Sequence, residues 1–216
     1  MKYKLVIFDL DGTLLDTLDD LSAAVNYAMQ RQGFPLHSRD EYMKMVGHGA
    51  KNLMRQALPA DHKDDEAMVD AVYNEFRAYY SAHIDVHTQP FPGITNLLTQ
   101  LHQNGVLLAV ASNKFQEGTE HLIKEFFPEV SFVTVLGNRP NFPLKPEPEI
   151  VGEILKKADA KKEEAVMVGD SDTDMETAAN GGIASIPVGW GYRNMRGIEG
   201  LTVAETAEEL LQLLMP

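Results

Sequence analysis

Two hydrophobic patterns alternate along the chain. The first is a short, mainly apolar run of strand length, unbroken in "LVIF" at Leu5–Phe8, and it recurs over residues 106–112, 132–136, 165–169 and 184–188. The second is an apolar stripe at helical spacing. Leu18, Leu21, Val25 and Met29 form one such stripe, and Val69, Val72, Phe76 and Tyr80 another. Residues three and four apart share one face of a helix, so these stretches predict amphipathic helices. Ile94, Leu97, Leu98 and Leu101 repeat the spacing over 94–102, and helices are also expected at 149–158 and 204–215.

The arrangement of the two patterns predicts the architecture. Mainly apolar strands that alternate with amphipathic helices belong in a parallel sheet covered on both faces, with the helices making the crossovers. Between the first strand and the rest lies a stretch that is helical only. The expected fold is therefore α/β, a doubly wound parallel sheet (a Rossmann-like core) with a helical cap inserted after the first strand. Residues 1–15 and 84–216 are assigned to the core and 16–83 to the cap. Pro90, Pro92 and Gly93 punctuate the return to the sheet.

Composition narrows the functional classes. The chain has 216 residues, 44% of them hydrophobic, which is enough for a substantial core. It carries 32 acidic against 19 basic residues and a formal charge of -13, with no long basic tract, so nucleic acid and anionic membranes are poor partners. There is no cysteine, which excludes disulfides, thiolate catalysis and cysteine-based zinc sites. No stretch has a signal-peptide pattern or membrane-spanning length, so a soluble cytoplasmic protein is expected, as monomer or homodimer.

In an open parallel sheet, ligands gather beyond the carboxyl ends of the strands. The polar residues there form a consistent set. Asp9 and Asp11 follow the first strand, Ser112, Asn113 and Lys114 the second, and Asp170, Asp172 and Asp174 the strand at 165–169, while Lys145 stands in "PLKPEPE". Crowded carboxylates repel one another and raise each other's pKa, so they call for a cation, and an all-oxygen set suits a hard ion such as Mg2+. A lysine and a hydroxyl beside that ion suit a phosphoryl group, whose oxygens need positive charge and hydrogen-bond donors. Lys145 and Ser112 would supply these, with backbone N–H groups around residues 10–13 and at a helix start after Ser112.

The strings "FDLDGTLLD", "VASNK", "LKPEPE" and "GDSDTD" resemble, in this order, the motifs of the haloacid dehalogenase-like hydrolases. The resemblance spans essentially the whole chain. It implies that Asp9 is a nucleophile forming an aspartyl-phosphate, and that Asp11 is the acid for the leaving group and then the base for water. It further implies Mg2+ held by Asp9, the backbone carbonyl of Asp11, and Asp170, with Asp174 in support. Thr13, Ser112, Asn113 and Lys145 match the phosphate-binding positions, and the helical insert resembles a cap that closes over the site. Within it "VGHGAKNLMRQAL" resembles the cap segment of bacterial phosphoglycolate phosphatases. Gly47, His48, Gly49 and Lys51 are accordingly the candidate substrate residues, Arg55 adding a nearby cation.

The expected function is thus a Mg2+-dependent phosphatase for a small phosphorylated metabolite, phosphoglycolate first. Beta-phosphoglucomutase-like or inorganic pyrophosphatase chemistry is the related alternative. A receiver-like signalling module phosphorylated on Asp9 is the alternative of another class. Ordinary structural readings apply to several neighbours: Asp172 as a helix cap, Lys114 as a residue that is either solvated or supports the site from behind, Asp16 as the exit towards the cap, and Trp190 and Tyr192 as packing beside the last strand. "LGNRPNFPLKP" departs from the family pattern at Asn138 and Arg139.

Overall fold

The computed structural model describes residues 2–196, 200 and 202–215. In chain order the elements are β1 (Leu5–Phe8), β2 (Leu15–Asp16), α1 (Leu18–Arg31), α2 (Arg39–Met45), α3 (Ala50–Ala57), α4 (Glu66–Ala82) and β3 (Gln89–Pro90). There follow α5 (Ile94–Gln103), β4 (Leu107–Phe115), α6 (Gln116–Phe126), β5 (Thr134–Asn138), α7 (Glu149–Ala158), β6 (Ala165–Gly169), α8 (Asp172–Gly181), β7 (Ala184–Pro187) and α9 (Ala207–Leu214). They divide into two compact units, residues 1–16 with 90–216, and residues 17–89.

The larger unit is a five-stranded parallel sheet in the order β5-β4-β1-β6-β7. The first strand is central, and the chain fills one side of it before crossing to the other. Leu5 and Ile7 are fully buried on the face covered by α7 and α8, in a cluster with Ala109, Met167, Val151 and Ile154. Side chains alternate along a strand, which puts Val6 and Phe8 on the opposite face, and both are buried as well. Burial on both faces is why the strand sequence is continuously apolar. Each such Val, Leu or Ile contributes about 1.5–3 kcal/mol.

The smaller unit is helical. Its stripes meet as their spacing predicts, with Leu18, Leu21, Val25 and Met29 of α1 and Val69, Val72, Phe76 and Tyr80 of α4 all buried where these two helices pack. Ser38 and Glu41 form a capping box at the start of α2, and the Asp65 carboxylate accepts the N–H groups of Ala67 and Met68 at the start of α4. This unit runs past residue 83, the boundary read from periodicity, to Gln89. The buried Asp20 carboxylate accepts hydrogen bonds from the N–H groups of His87 and Thr88 and from the Thr88 hydroxyl, tying the return segment to α1. Among the described residues no helix is long and apolar enough to cross a membrane.

Two expectations about the second strand need correction. Residues 113–115 continue β4 instead of starting a helix, and α6 begins only at Gln116. The pairing of β4 with β5 is irregular between Ala111 and Phe115, which lets three polar residues occupy a strand end among apolar neighbours.

Candidate active site

The register of the sheet makes the site. Phe8 pairs with Val110 on one side and Val168 on the other, so Asp9, one step further, emerges level with Ala111 and Gly169. Asp9 is 8% exposed. Asp170 follows β6, and Asp174 lies in the first turn of α8. The carboxylate oxygens that Asp9, Asp170 and Asp174 can offer a metal all lie within 4.8 Å of one another, and all three residues are buried.

Lysine 145 stands in the middle of these acids. Its ammonium donates to Asp9 Oδ1 at 2.8 Å and to Asp174 Oδ1 at 2.6 Å. The Asn113 side chain fixes the backbone that carries it, for the carboxamide Oδ1 accepts the Lys145 N–H at 2.9 Å and Nδ2 donates to the Lys145 carbonyl at 3.1 Å. Asn113 therefore spends its amide on placing Lys145. Ser112 Oγ accepts the Lys114 N–H at 3.1 Å, and the Thr13 hydroxyl donates to Asp170 Oδ1 at 3.4 Å.

Asp170 is also held by the segment after β7. The Tyr192 N–H donates to Asp170 Oδ2 at 2.6 Å, the Tyr192 hydroxyl to Asp16 Oδ1 at 3.0 Å, and the Trp190 indole to the Thr13 carbonyl at 3.0 Å. Gly12 has φ +88°, and a Cβ there would lie 2.5 Å from Asp170 Oδ2, so this turn needs glycine. The "VGWGYR" stretch thus braces the acidic cluster in addition to following the last strand, and Asp16 is one of its anchors.

The helix that supplies Asp174 is capped by Ser171, not by Asp172. Ser171 N–H and Oγ donate to Asp174 Oδ2 at 3.2 and 2.6 Å in a capping box. Ser171 precedes the helix with extended backbone, which leaves Asp172 inside the first turn. Of the two readings of Lys114, the solvated one fails and the supporting one fits. It is a buried residue whose side chain is 2% exposed, with its ammonium 3.0 Å from Asp11 Oδ1. Residues two apart in a strand share a face, so Lys114 would have been placed beside Ser112 had the strand been read through to residue 115.

The electrostatics follow from burial. Desolvation pushes the Asp9 carboxyl well above the usual carboxylate range; Lys145 opposes this, while Asp174 and Asp170 add to it. Burial, then the charge of Asp174, raises Asp170 from 3.8 to about 7. Burial alone would lower Lys145, but the attraction of Asp174 and Asp9 outweighs it and keeps the ammonium above its ordinary value. Three buried carboxylates thus face the one ammonium of Lys145, while Asp11 is paired separately with Lys114. A divalent cation would balance them, and an all-oxygen donor set fits Mg2+.

The candidate cap residues lie in the helical unit. Gly47 and Gly49 have φ of +122° and +83°, with Gly49 the N-cap of α3, and His48 is exposed. Lys51 donates to Asp70 Oδ1 at 2.5 Å and lies 5.7 Å from the Tyr73 ring centre, and Arg55 pairs with Glu66. In the core unit, Arg139 pairs through both terminal nitrogens with Glu153 and stacks on Phe142, 4.0 Å from the ring centre.

Comparison with known proteins agrees with this geometry. Residues 6–188 match the family model of the haloacid dehalogenase-like hydrolases. The chain is 33% identical over 221 residues to a phosphoglycolate phosphatase of Vibrio parahaemolyticus, covering 98% of this chain and 96% of that one. It is 30% identical over 224 residues to a phosphoglycolate phosphatase of Mesorhizobium japonicum, covering 98% of each. A crystal structure from Lactobacillus delbrueckii subsp. bulgaricus, assigned to phosphoglycolate phosphatase, superposes with a TM-score of 0.91 at 33% identity over 99% of both chains. The protein belongs to the haloacid dehalogenase-like hydrolases.

Proposed function

We propose that this haloacid dehalogenase-like hydrolase is a Mg2+-dependent phosphatase that works through an aspartyl-phosphate on Asp9, with phosphoglycolate as its preferred substrate. The observation that carries the chemistry is the meeting of Asp9 with Asp170, Asp174 and Lys145 in one buried, cation-demanding cluster. The choice of substrate is supported by full-length relatives named phosphoglycolate phosphatase.

In the first step an Asp9 oxygen attacks phosphorus and the bond to the ester oxygen breaks. Asp11 gives its proton to that oxygen, and the alcohol leaves. In the second step Asp11, now a carboxylate, takes a proton from water as the water oxygen attacks phosphorus, which frees Asp9 and releases phosphate. Lys145, pinned by Asn113, offers its charge to Asp9 and to the incoming phosphoryl oxygens. Ser112 and Thr13 are proposed to add hydrogen bonds to the phosphoryl oxygens. Asp9 and Asp170, with the Asp11 backbone carbonyl and Asp174 in support, would hold Mg2+, which supplies positive charge to the phosphoryl oxygens and favours ionised Asp9. From the helical unit, Gly47, His48, Gly49 and Lys51 are proposed to recognise the glycolate carboxylate; Lys51 would exchange its exposed Asp70 partner for it.

The test is phosphate release from phosphoglycolate, beta-glucose 1-phosphate, nucleoside monophosphates and pyrophosphate, with Mg2+ or with EDTA. Phosphoglycolate is expected to rank first, with EDTA and Asp9→Asn each abolishing turnover. Absence of turnover on the whole panel would sink the phosphatase reading, and a higher kcat/KM for another member would sink the substrate.

A further inference from the structure

Lys114 has no place in the phosphate or metal sets, yet it is among the most carefully held residues near them. Its side chain is only 2% exposed. Burying a lysine costs several kcal/mol unless a partner compensates, so a buried lysine at the end of a largely apolar strand calls for a reason. Its backbone is fixed on three sides. The N–H donates to Ser112 Oγ at 3.1 Å, the carbonyl accepts from Thr119 Oγ1 at 3.3 Å, and a Cβ at Gly137 would lie 2.6 Å from that carbonyl. From this base the ammonium reaches Asp11 Oδ1 at 3.0 Å.

Asp11 sits in the turn after β1, and an aspartate side chain can in general adopt three staggered rotamers that send its carboxyl in different directions. A general acid works only within hydrogen-bond reach of its target, and a displacement of about 1 Å can cost on the order of a hundredfold. We infer that Lys114 is a positioning residue for Asp11, holding its carboxyl in the one rotamer that serves proton transfer. The inference rests on the reading of Asp11 as acid and base. It separates the two buried lysines: Lys145 serves Asp9 and Asp174, and Lys114 serves Asp11.

The leaving group distinguishes this role from others. The parameter kcat/KM reports formation of the aspartyl-phosphate, the step in which Asp11 protonates the departing oxygen. Phosphoglycolate and ethyl phosphate both expel an alkoxide that needs the proton, whereas acetyl phosphate expels acetate, which does not. Lys114→Met should therefore lower kcat/KM for the two alkyl esters on the order of tenfold or more, and for acetyl phosphate by no more than about twofold. Lys114→Arg, which keeps a charged donor, should recover part of the loss, and thermal unfolding of each variant shows whether it is folded.

Asp11→Asn, measured alongside, should show the same split between substrates. If Asp11→Asn shows the split and Lys114→Met does not, the positioning role is wrong and the acid assignment stands. If Asp11→Asn shows none, both fall together. Equal loss on all three substrates would mean that Lys114 acts on the phosphoryl group or on the fold. Loss confined to phosphoglycolate would mean that it binds the substrate carboxylate. Either result overturns the inference.

Discussion

Replacing Asp170 by asparagine in protein stripped of divalent cations isolates the cost of crowding carboxylates at the sheet edge. Burial and Asp174 raise the Asp170 carboxyl from 3.8 to about 7 in the folded protein. Below pH 3.8 it is neutral in both states and costs nothing. As the pH climbs, the unfolded chain loses this proton first, so folding must either retain a proton or bury a charge. The penalty grows until about pH 7 and is fully present above it, where it amounts to about 4 kcal/mol. Asparagine cannot ionise and escapes this cost. It keeps one oxygen to accept the Tyr192 N–H and forfeits about 1 kcal/mol in altered hydrogen bonding.

The measurement is urea unfolding of wild type and Asp170→Asn in EDTA. The stability of the variant relative to wild type should rise by about 2–3 kcal/mol between about pH 5 and about pH 8.5, with most of the change below about pH 7. Adding Mg2+ should then stabilise the wild type increasingly as pH rises, because the ion needs the ionised carboxylate, and should do little for the variant. A difference between the two proteins that stays flat across this pH range would refute the reasoning, since it would mean that Asp170 is ionised at no cost when no cation is present.

Asn113→Ala should leave the N–H and carbonyl of Lys145 unsatisfied in the interior, cost about 2 kcal/mol in chemical unfolding, and lower kcat by loosening the ammonium between Asp9 and Asp174. An unchanged kcat would show that Lys145 is placed by something else. Arg139→Lys exchanges a two-pronged, ring-stacked pair for a single contact and should cost about 1 kcal/mol, without effect on turnover. Hydrogen bonding to Arg139 pulls Glu153 down to about 2, so this contribution is present above the ordinary value of 4.5 and disappears as the pH falls towards about 2, which acid titration of both proteins would show.

The parts of this molecule legible in the sequence are those set by local periodicity or by residue type at a strand end. The apolar runs at 5–8 and 165–169 and the stripes of α1 and α4 were visible because burial on two faces, or on one stripe, leaves a repeating pattern. Asp9, Asp170 and Lys145 stood out because charged residues follow apolar strands at the end where ligands collect. What local pattern hides is long-range compensation. Ser112, Asn113 and Lys114 look like the end of a strand, yet β4 continues through them, and the polar groups of the last two are met from distant segments: Asp11 lies 103 residues from Lys114, and the Lys145 backbone 32 residues from Asn113. The bracing of Asp170 by Tyr192 spans 22 residues and leaves no signal in periodicity. Ser171 and Asp172 are both good caps by residue type, and only the capping box with Asp174 decides between them.

The crowding at the site follows from the sheet itself. Neighbouring strands lie about 4.8 Å apart, so β1 and β6, which end almost level with β4 running on beside them, must bring their next residues together. Asp9 emerges between Ala111 and Gly169, two positions with little or no side chain. At Gly169 a Cβ would fall on the Asp174 side chain, so glycine is what lets the first turn of α8 bring that carboxylate against the strand. The fold thereby imposes proximity on the acids and leaves their charge to be met by other means. Two lysines reach in from β4 and from the segment before α7, each taken by different acids. The remaining negative charge is what a divalent cation would neutralise, and the residues that supply it all belong to the α/β unit. On the proposed reading the groups that act on the phosphoryl oxygens are thus all set by strand ends and adjoining turns of one sheet, whose register fixes their separation.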